Sequence, residues 1–195
     1  MPAAVRYAVT PVALAALAIA LLAGCTPDGD GTDPSSDPGA SGTPTAEPTT
    51  EPTDEPIGVP VGVTCDELVS PDTIYIYNPN FGRIDDFTPE DGSAAASALK
   101  YQGVACRWQN GTSGENIDVS VAQLDEASLT ALKNAAFEDS EMVPTYGEEA
   151  YFSVNSGIGE AQVFQGPYWI VAESGAFLEP GDATEIIQSV VAALG

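Results

Sequence analysis

At 195 residues the chain suits one ordinary domain, but its composition is lopsided: 29 aspartates and glutamates stand against five lysines and arginines, for a formal charge of -24. A body so negative repels phosphate backbones and anionic head groups, so nucleic acid has no electrostatic footprint to bind. Histidine is absent, which removes Ser-His-Asp and Cys-His catalysis and the commonest zinc ligand together.

Residues 1–24 read as a signal peptide, with Arg6 and the amino terminus as the positive region and an apolar run from Ala8 to Leu22. That run is about 15 residues long, short of the roughly 20 that a permanent membrane span requires. It ends in Leu22-Ala23-Gly24-Cys25, which resembles the lipobox of bacterial lipoproteins. The resemblance implies cleavage before Cys25, diacylglyceryl and palmitate chains on Cys25, and a membrane partner reached through that anchor. Two or more acyl chains hold stably where a single chain holds only marginally.

Residues 25–57 comprise Cys25 and a stretch almost entirely of Pro, Thr, Asp, Ser, Gly and Glu. With nothing apolar to bury, it is expected to be a disordered tether, reaching at most about 90 Å. Asp28-x-Asp30-x-x-Asp33 has the look of a calcium loop, but no bidentate glutamate follows it. No metal or cofactor is expected.

Residues 58–195 form the expected folded domain, long enough for one core. Cys65 and Cys106 are its two cysteines, and in an oxidising compartment an even pair defaults to a disulfide, with two buried free thiols as the alternative. Closing a loop of about 40 residues contributes roughly 4 kcal/mol in the chain-entropy account.

Thr64-Cys65-Asp66-Glu67 is a capping box that opens a first helix, whose continuation past Pro71 is left open because Ile74-Tyr75-Ile76-Tyr77 has strand-like composition. Thr88-Pro89-Glu90-Asp91 predicts a helix start leading into 93–100. Val104 to Gln109 and Ile117 to Gln123 read as a hairpin, the second with Ile117, Val119 and Val121 on one face and Asp118 and Ser120 on the other. Asp125 caps a helix whose buried stripe is expected at Leu129, Leu132, Ala136 and Phe137. Strands follow at Glu149 to Val154, Ala161 to Gln165 and Tyr168 to Glu173. Asp182 is expected to cap a final helix carrying Ile186, Ile187, Val190, Val191 and Leu194. The sum is an α+β fold: one antiparallel sheet of about five strands with helices packed on one face.

The helix opening at Cys65, the segments Val104-Ala105-Cys106-Arg107-Trp108, Asp118-Val119-Ser120-Val121 and Tyr146-Gly147-Glu148-Glu149-Ala150-Tyr151, and the terminal helix behind a lipobox and tether are similar to a group of actinobacterial lipoproteins of unknown function. Their domain in turn resembles the extracellular sensor domain of certain mycobacterial serine/threonine kinases. The resemblance covers about residues 60 to 195 and implies a Cys65 to Cys106 bridge; it brings no catalytic residue.

Carboxylate pairs for glycoside hydrolysis are available at Asp85-Asp86, Glu138-Asp139-Glu141 and Glu148-Glu149, though so acidic a chain makes chance neighbours. A Ser-Lys pair would need Lys100 or Lys133, both read as solvated. Gly157-x-Gly159 reads as a hairpin turn and Asn110-Gly111-Thr112 as a turn that matches a glycosylation sequon by coincidence. Tyr75, Tyr77, Phe81, Tyr168 and Trp169 lie near loops and are the candidate ligand-binding residues, with core filling as the alternative use of the same rings. The expected function is a non-enzymatic binding or sensing module on the outer face of the cytoplasmic membrane, with an envelope protein or small ligand as partner. A cell-wall glycan hydrolase and a structural envelope protein are the alternatives.

Overall fold

The computed structural model describes residues 58–195. The predicted signal peptide, Cys25 and the predicted tether lie outside the described residues.

Thr64 caps α1 (Cys65–Leu68) through the predicted box: Glu67 N–H donates to Thr64 Oγ1 at 3.3 Å, and the Glu67 carboxylate accepts Thr64 N–H at 2.7 Å. After one turn Ser70 caps α2 (Pro71–Tyr77), accepting Thr73 N–H at 3.0 Å with Pro71 at the first helical position. The strand-like Ile74-Tyr75-Ile76-Tyr77 is therefore helical. Cap and proline fix the first turn, and helical spacing sends Ile74 and Tyr77 inward while Tyr75 and Ile76 face out.

β1 (Phe81–Ile84) follows, then α3 (Ala94–Lys100), whose cap is Ser93, a turn later than Thr88-Pro89 predicts. β2 (Val104–Asn110) and β3 (Asn116–Gln123) form the expected hairpin. Asp125 caps α4 (Glu126–Asp139), accepting Ser128 N–H at 2.9 Å. β4 (Glu141–Met142), β5 (Glu149–Asn155), β6 (Ile158–Gln165) and β7 (Tyr168–Ser174) lead to α5 (Pro180–Leu194). Asp182 works from the third position of α5 rather than as its cap, its carboxylate accepting the N–H groups of Leu178 and Glu179 at 2.8 and 3.0 Å.

The sheet has seven strands, not about five, in the order β1-β2-β3-β7-β6-β5-β4 with every neighbour antiparallel. The two additional strands are its edges. An edge needs only one partner, so β1 and the two-residue β4 form with little of the alternating apolar pattern that marks a central strand.

Helices cover both faces, not one. Side chains alternate along a strand, so Val119 and Ser120 point to opposite sides. On the first side Cys106, Trp108, Val119, Val163 and Ile170 pack against α1, α2 and α5. Ile186, Ile187 and Val190 of α5 are fully buried there, each worth about 2 kcal/mol. On the second side Ala122, Tyr151, Phe164, Trp169 and Val171 meet Ala98 of α3 and Leu129 and Ala136 of α4. Phe137, expected in the buried stripe, is 65% exposed and meets Tyr151 edge-on, 6.5 Å between centroids.

Cys65 and Cys106 form a disulfide, which joins the first residue of α1 to the middle of β2 across a separation of 41 residues. Among the described residues no helix is long and apolar enough to cross a membrane.

Candidate functional site

The five candidate aromatics do not meet in one place. Tyr75, 68% exposed on α2, and the buried ring of Phe81 line a small notch between α2 and β1. Trp108 and Ile74 form its floor, and Arg83, paired with Asp66 at 3.3 Å and with Asp85, stands at its rim. Its volume of about 180 Å³ falls below the range of metabolite pockets and suits a single inserted side chain. Tyr77 lies deeper, edge-on to Phe81 at 5.9 Å and Phe177 at 6.4 Å, where burial and then the carboxylates of Asp182, Glu115 and Glu185 push its phenol up.

Tyr168 and Trp169 are sequence neighbours on β7, so they point to opposite sides of the sheet. Tyr168 packs at the border of the first core, while Trp169, 6% exposed, sits in the second and donates its indole N–H to Gln162 Oε1 at 3.1 Å.

A second site emerges that the aromatics do not mark. Strand register places Arg107 opposite Asp118, Asp118 opposite Glu173, and Glu173 opposite Glu160, one residue from each of β2, β3, β7 and β6 on the same face. The result is a row of one guanidinium and three carboxyl groups crossing the middle of the sheet. Arg107 grips Asp118 with both arms, Nε donating to Oδ1 at 2.6 Å, and lies 4.1 Å from the centroid of Phe87. That hydrogen bonding holds the Arg107 guanidinium charged above its ordinary range.

Among the described residues Glu173 has no ion pair, since the Arg107 guanidinium is held by Asp118. Burial first, then the charges of Glu160 and Asp118, push its carboxyl up to about 7. Glu160 accepts Gln162 Nε2–H at 2.7 Å, and the Trp169 indole orients that amide from its other end. Of this facing pair, Glu173 is the one whose carboxyl is pushed up. Above this row is a hollow of about 270 Å³ walled by Phe87, Glu90 and Ser93. It can hold a small polar group, offering the Arg107–Asp118 ion pair and the Glu173 carboxyl, pushed up to about 7.

The acidic pairs singled out in the sequence have structural partners or lie elsewhere. Glu148 accepts Gly166 N–H at 3.1 Å and pins the β6–β7 turn, and Glu149 accepts Lys133 at 2.9 Å and the Tyr151 hydroxyl at 2.8 Å. The Lys133 contact holds Glu149 below its usual range. Asp85 belongs to Arg83. Glu138, Asp139 and Glu141 ring a cleft at the far edge of the sheet. Asn110 Oδ1 accepts the N–H groups of Thr112 and Ser113 and closes the β2–β3 turn. Among the described residues no three Cys, Asp or Glu side chains are placed to hold a metal ion. Comparison of the chain with family models, with curated proteins and with solved structures finds no match.

Proposed function

We propose that the chain is an exported lipoprotein, held by acyl chains on Cys25 at the outer face of the cytoplasmic membrane and presenting residues 58–195 as a non-enzymatic binding or sensing module. The observation that carries this reading is the order of its parts. An apolar leader ends at Leu22-Ala23-Gly24-Cys25, a polar stretch follows, and the domain behind it is braced by a Cys65–Cys106 bridge of the kind that persists in oxidising compartments. The likeness to actinobacterial lipoproteins, drawn from the Cys-Arg-Trp and Gly-Glu-Glu-Ala-Tyr segments, supports the same reading.

Expression in a bacterium with lipoprotein-processing enzymes, followed by mass spectrometry, tests the anchor. The expected product begins at an acylated Cys25, and Cys25→Ser abolishes acylation; a bare thiol or a retained leader on the wild-type chain overturns the reading. Thermal-shift screening of the mature chain against cell-wall fragments tests the binding half, with Tyr75→Ala and Arg107→Ala as controls. A flat response throughout counts against it.

Glycan hydrolysis, the second reading, has one observation in its favour: a carboxyl pushed up to about 7 at Glu173, beside two further carboxylates under a hollow. Release of reducing ends from purified peptidoglycan, lost in Glu173→Gln, would support it. No release discards it.

A further inference from the structure

The sheet ends unevenly at β5. The Ala150 carbonyl accepts Val143 N–H at 2.8 Å, so the alternation of the strand turns the backbone of Ala150, Phe152 and Val154 toward the β4 side. β4 reaches only far enough to cover Tyr151 and Phe152. The amide and carbonyl of Val154 thus face a position where, among the described residues, no strand lies. A cleft of about 630 Å³ opens at this point, between the C-terminal end of α4 and the N-terminal end of α5. Leu178, 71% exposed, and the half-exposed Val154 supply apolar surface on its walls.

The charge around this cleft is of one sign. Glu138, Asp139, Glu141 and Glu179 line it, and no lysine or arginine does. Glu138 and Asp139 also occupy the last turn of the 14-residue α4, where the helix dipole already presents its negative end and no basic residue offsets it. The four basic residues of the domain are elsewhere: Arg83 with Asp66, Arg107 with Asp118, Lys133 with Glu149, and Lys100 at the end of α3. Carboxylates gathered at the negative end of a helix raise the energy of the free domain, and a cationic partner relieves it.

We propose that this cleft receives an extended basic segment of another protein, which adds as a short strand beside β5 in line with β4. Backbone pairing at Val154 anchors the segment and Leu178 takes an apolar side chain. The surrounding carboxylates select lysine or arginine at alternate positions. This deepens the binding-module reading by naming a partner class, and it stands or falls separately from the lipid anchor, because the assay reads binding by the non-acylated chain.

The probe is a blocked peptide of alternating lysine and valine, about nine residues long, titrated against the Cys25→Ser chain by fluorescence anisotropy. Binding in the range of tens of micromolar at ~20 mM salt is expected, weakening about tenfold at ~150 mM. Glu138→Lys combined with Glu141→Lys should abolish it, as should replacing the peptide's lysines by glutamates. Val154→Pro removes the amide donor while leaving every charge, and should weaken binding at least tenfold. Circular dichroism verifies that this variant folds; if it does not, peptides N-methylated at alternate residues remove the partner's donors instead and should bind at least tenfold more weakly. Equal binding of the methylated and unmethylated peptides means diffuse charge attraction and overturns the proposal, as does equal binding of the glutamate peptide or no binding at all.

Discussion

Glu160 on β6 and Glu173 on β7 stand directly opposite one another on the same face of the sheet, a like-charged pair in the middle of a seven-stranded ladder. Like charges so placed oppose strand pairing. The fold accommodates them by keeping a proton on Glu173, whose carboxyl is pushed up to about 7 from an ordinary value near 4.5.

The sign of the pH dependence follows. Between about pH 4.5 and 7 the folded chain binds more protons at Glu173 than the unfolded chain, so this group's contribution is fully present below about pH 4.5 and is lost as pH rises through about 7. Glu173→Gln keeps the shape and removes the charge. Discounted for its partial exposure, the gain over wild type is expected to be about 2 kcal/mol near pH 8 and close to nil near pH 4.5. Urea denaturation across that range measures it, and parallel curves for the two proteins would refute the shared-proton account.

Removing the bridge acts chiefly on the unfolded chain. Cys65→Ala with Cys106→Ala frees a 41-residue separation and is expected to cost about 2–4 kcal/mol. Comparing the double variant with the oxidised chain in urea measures the difference, and non-reducing peptide mapping confirms the pairing.

Two glycines of one hairpin should respond very differently to alanine. A Cβ on Gly159 would lie 2.0 Å from the Phe177 carbonyl oxygen and 2.7 Å from its Cβ, against a ring that is fully buried, whereas a Cβ on Gly157 meets nothing within 4 Å. Gly157 has φ +84, so its replacement costs about 1 kcal/mol for the left-handed backbone alone. Gly159→Ala is expected to cost more than about 3 kcal/mol or to prevent folding, because backbone must move. Thermal unfolding of the pair decides; equal losses would mean that the Phe177 contact is unimportant.

Tyr146 donates its hydroxyl to the Pro180 carbonyl and thereby fastens the segment before β5 to the start of α5. Burial, with Asp182 nearby, pushes the phenol up to about 12. Tyr146→Phe is expected to lower stability by about 1 kcal/mol and to remove a tyrosine that ionises near pH 12 from an alkaline absorbance titration. A titration unchanged near pH 12 would refute the assignment to Tyr146.

Local signals in the sequence were read where the physics is local. Thr64 with Glu67 and Asp125 before α4 announce helices through side chains that satisfy nearby N–H groups, and the alternation of Ile117, Val119 and Val121 announces a central strand. β1 and β4 escape because an edge makes few demands on its residues. Part of the polar row was legible: the two-residue Gly166-Pro167 turn fixes the β6–β7 register and so sets Glu160 against Glu173. What no local pattern contains is the pairing of β3 with β7, which brings Asp118 beside Glu173 from more than 50 positions away. Tyr168 and Trp169 illustrate the converse: in a strand, adjacent rings are sent apart, so proximity in sequence argued against a shared site.

The bridge between Cys65 and Cys106 also decides how the domain bears load. A pull on the chain ahead of Gly58 meets the Gln102 amide donating to the Gly58 carbonyl, then the backbone contacts of Val59 with Gln123 and of Val61 with Gln102. Beyond them, traction reaches Cys65 and passes through sulfur into the centre of β2, a strand held between two others. Peeling from that end therefore meets the bridge after a few residues, and further extension loads β2 together with the strands on either side of it.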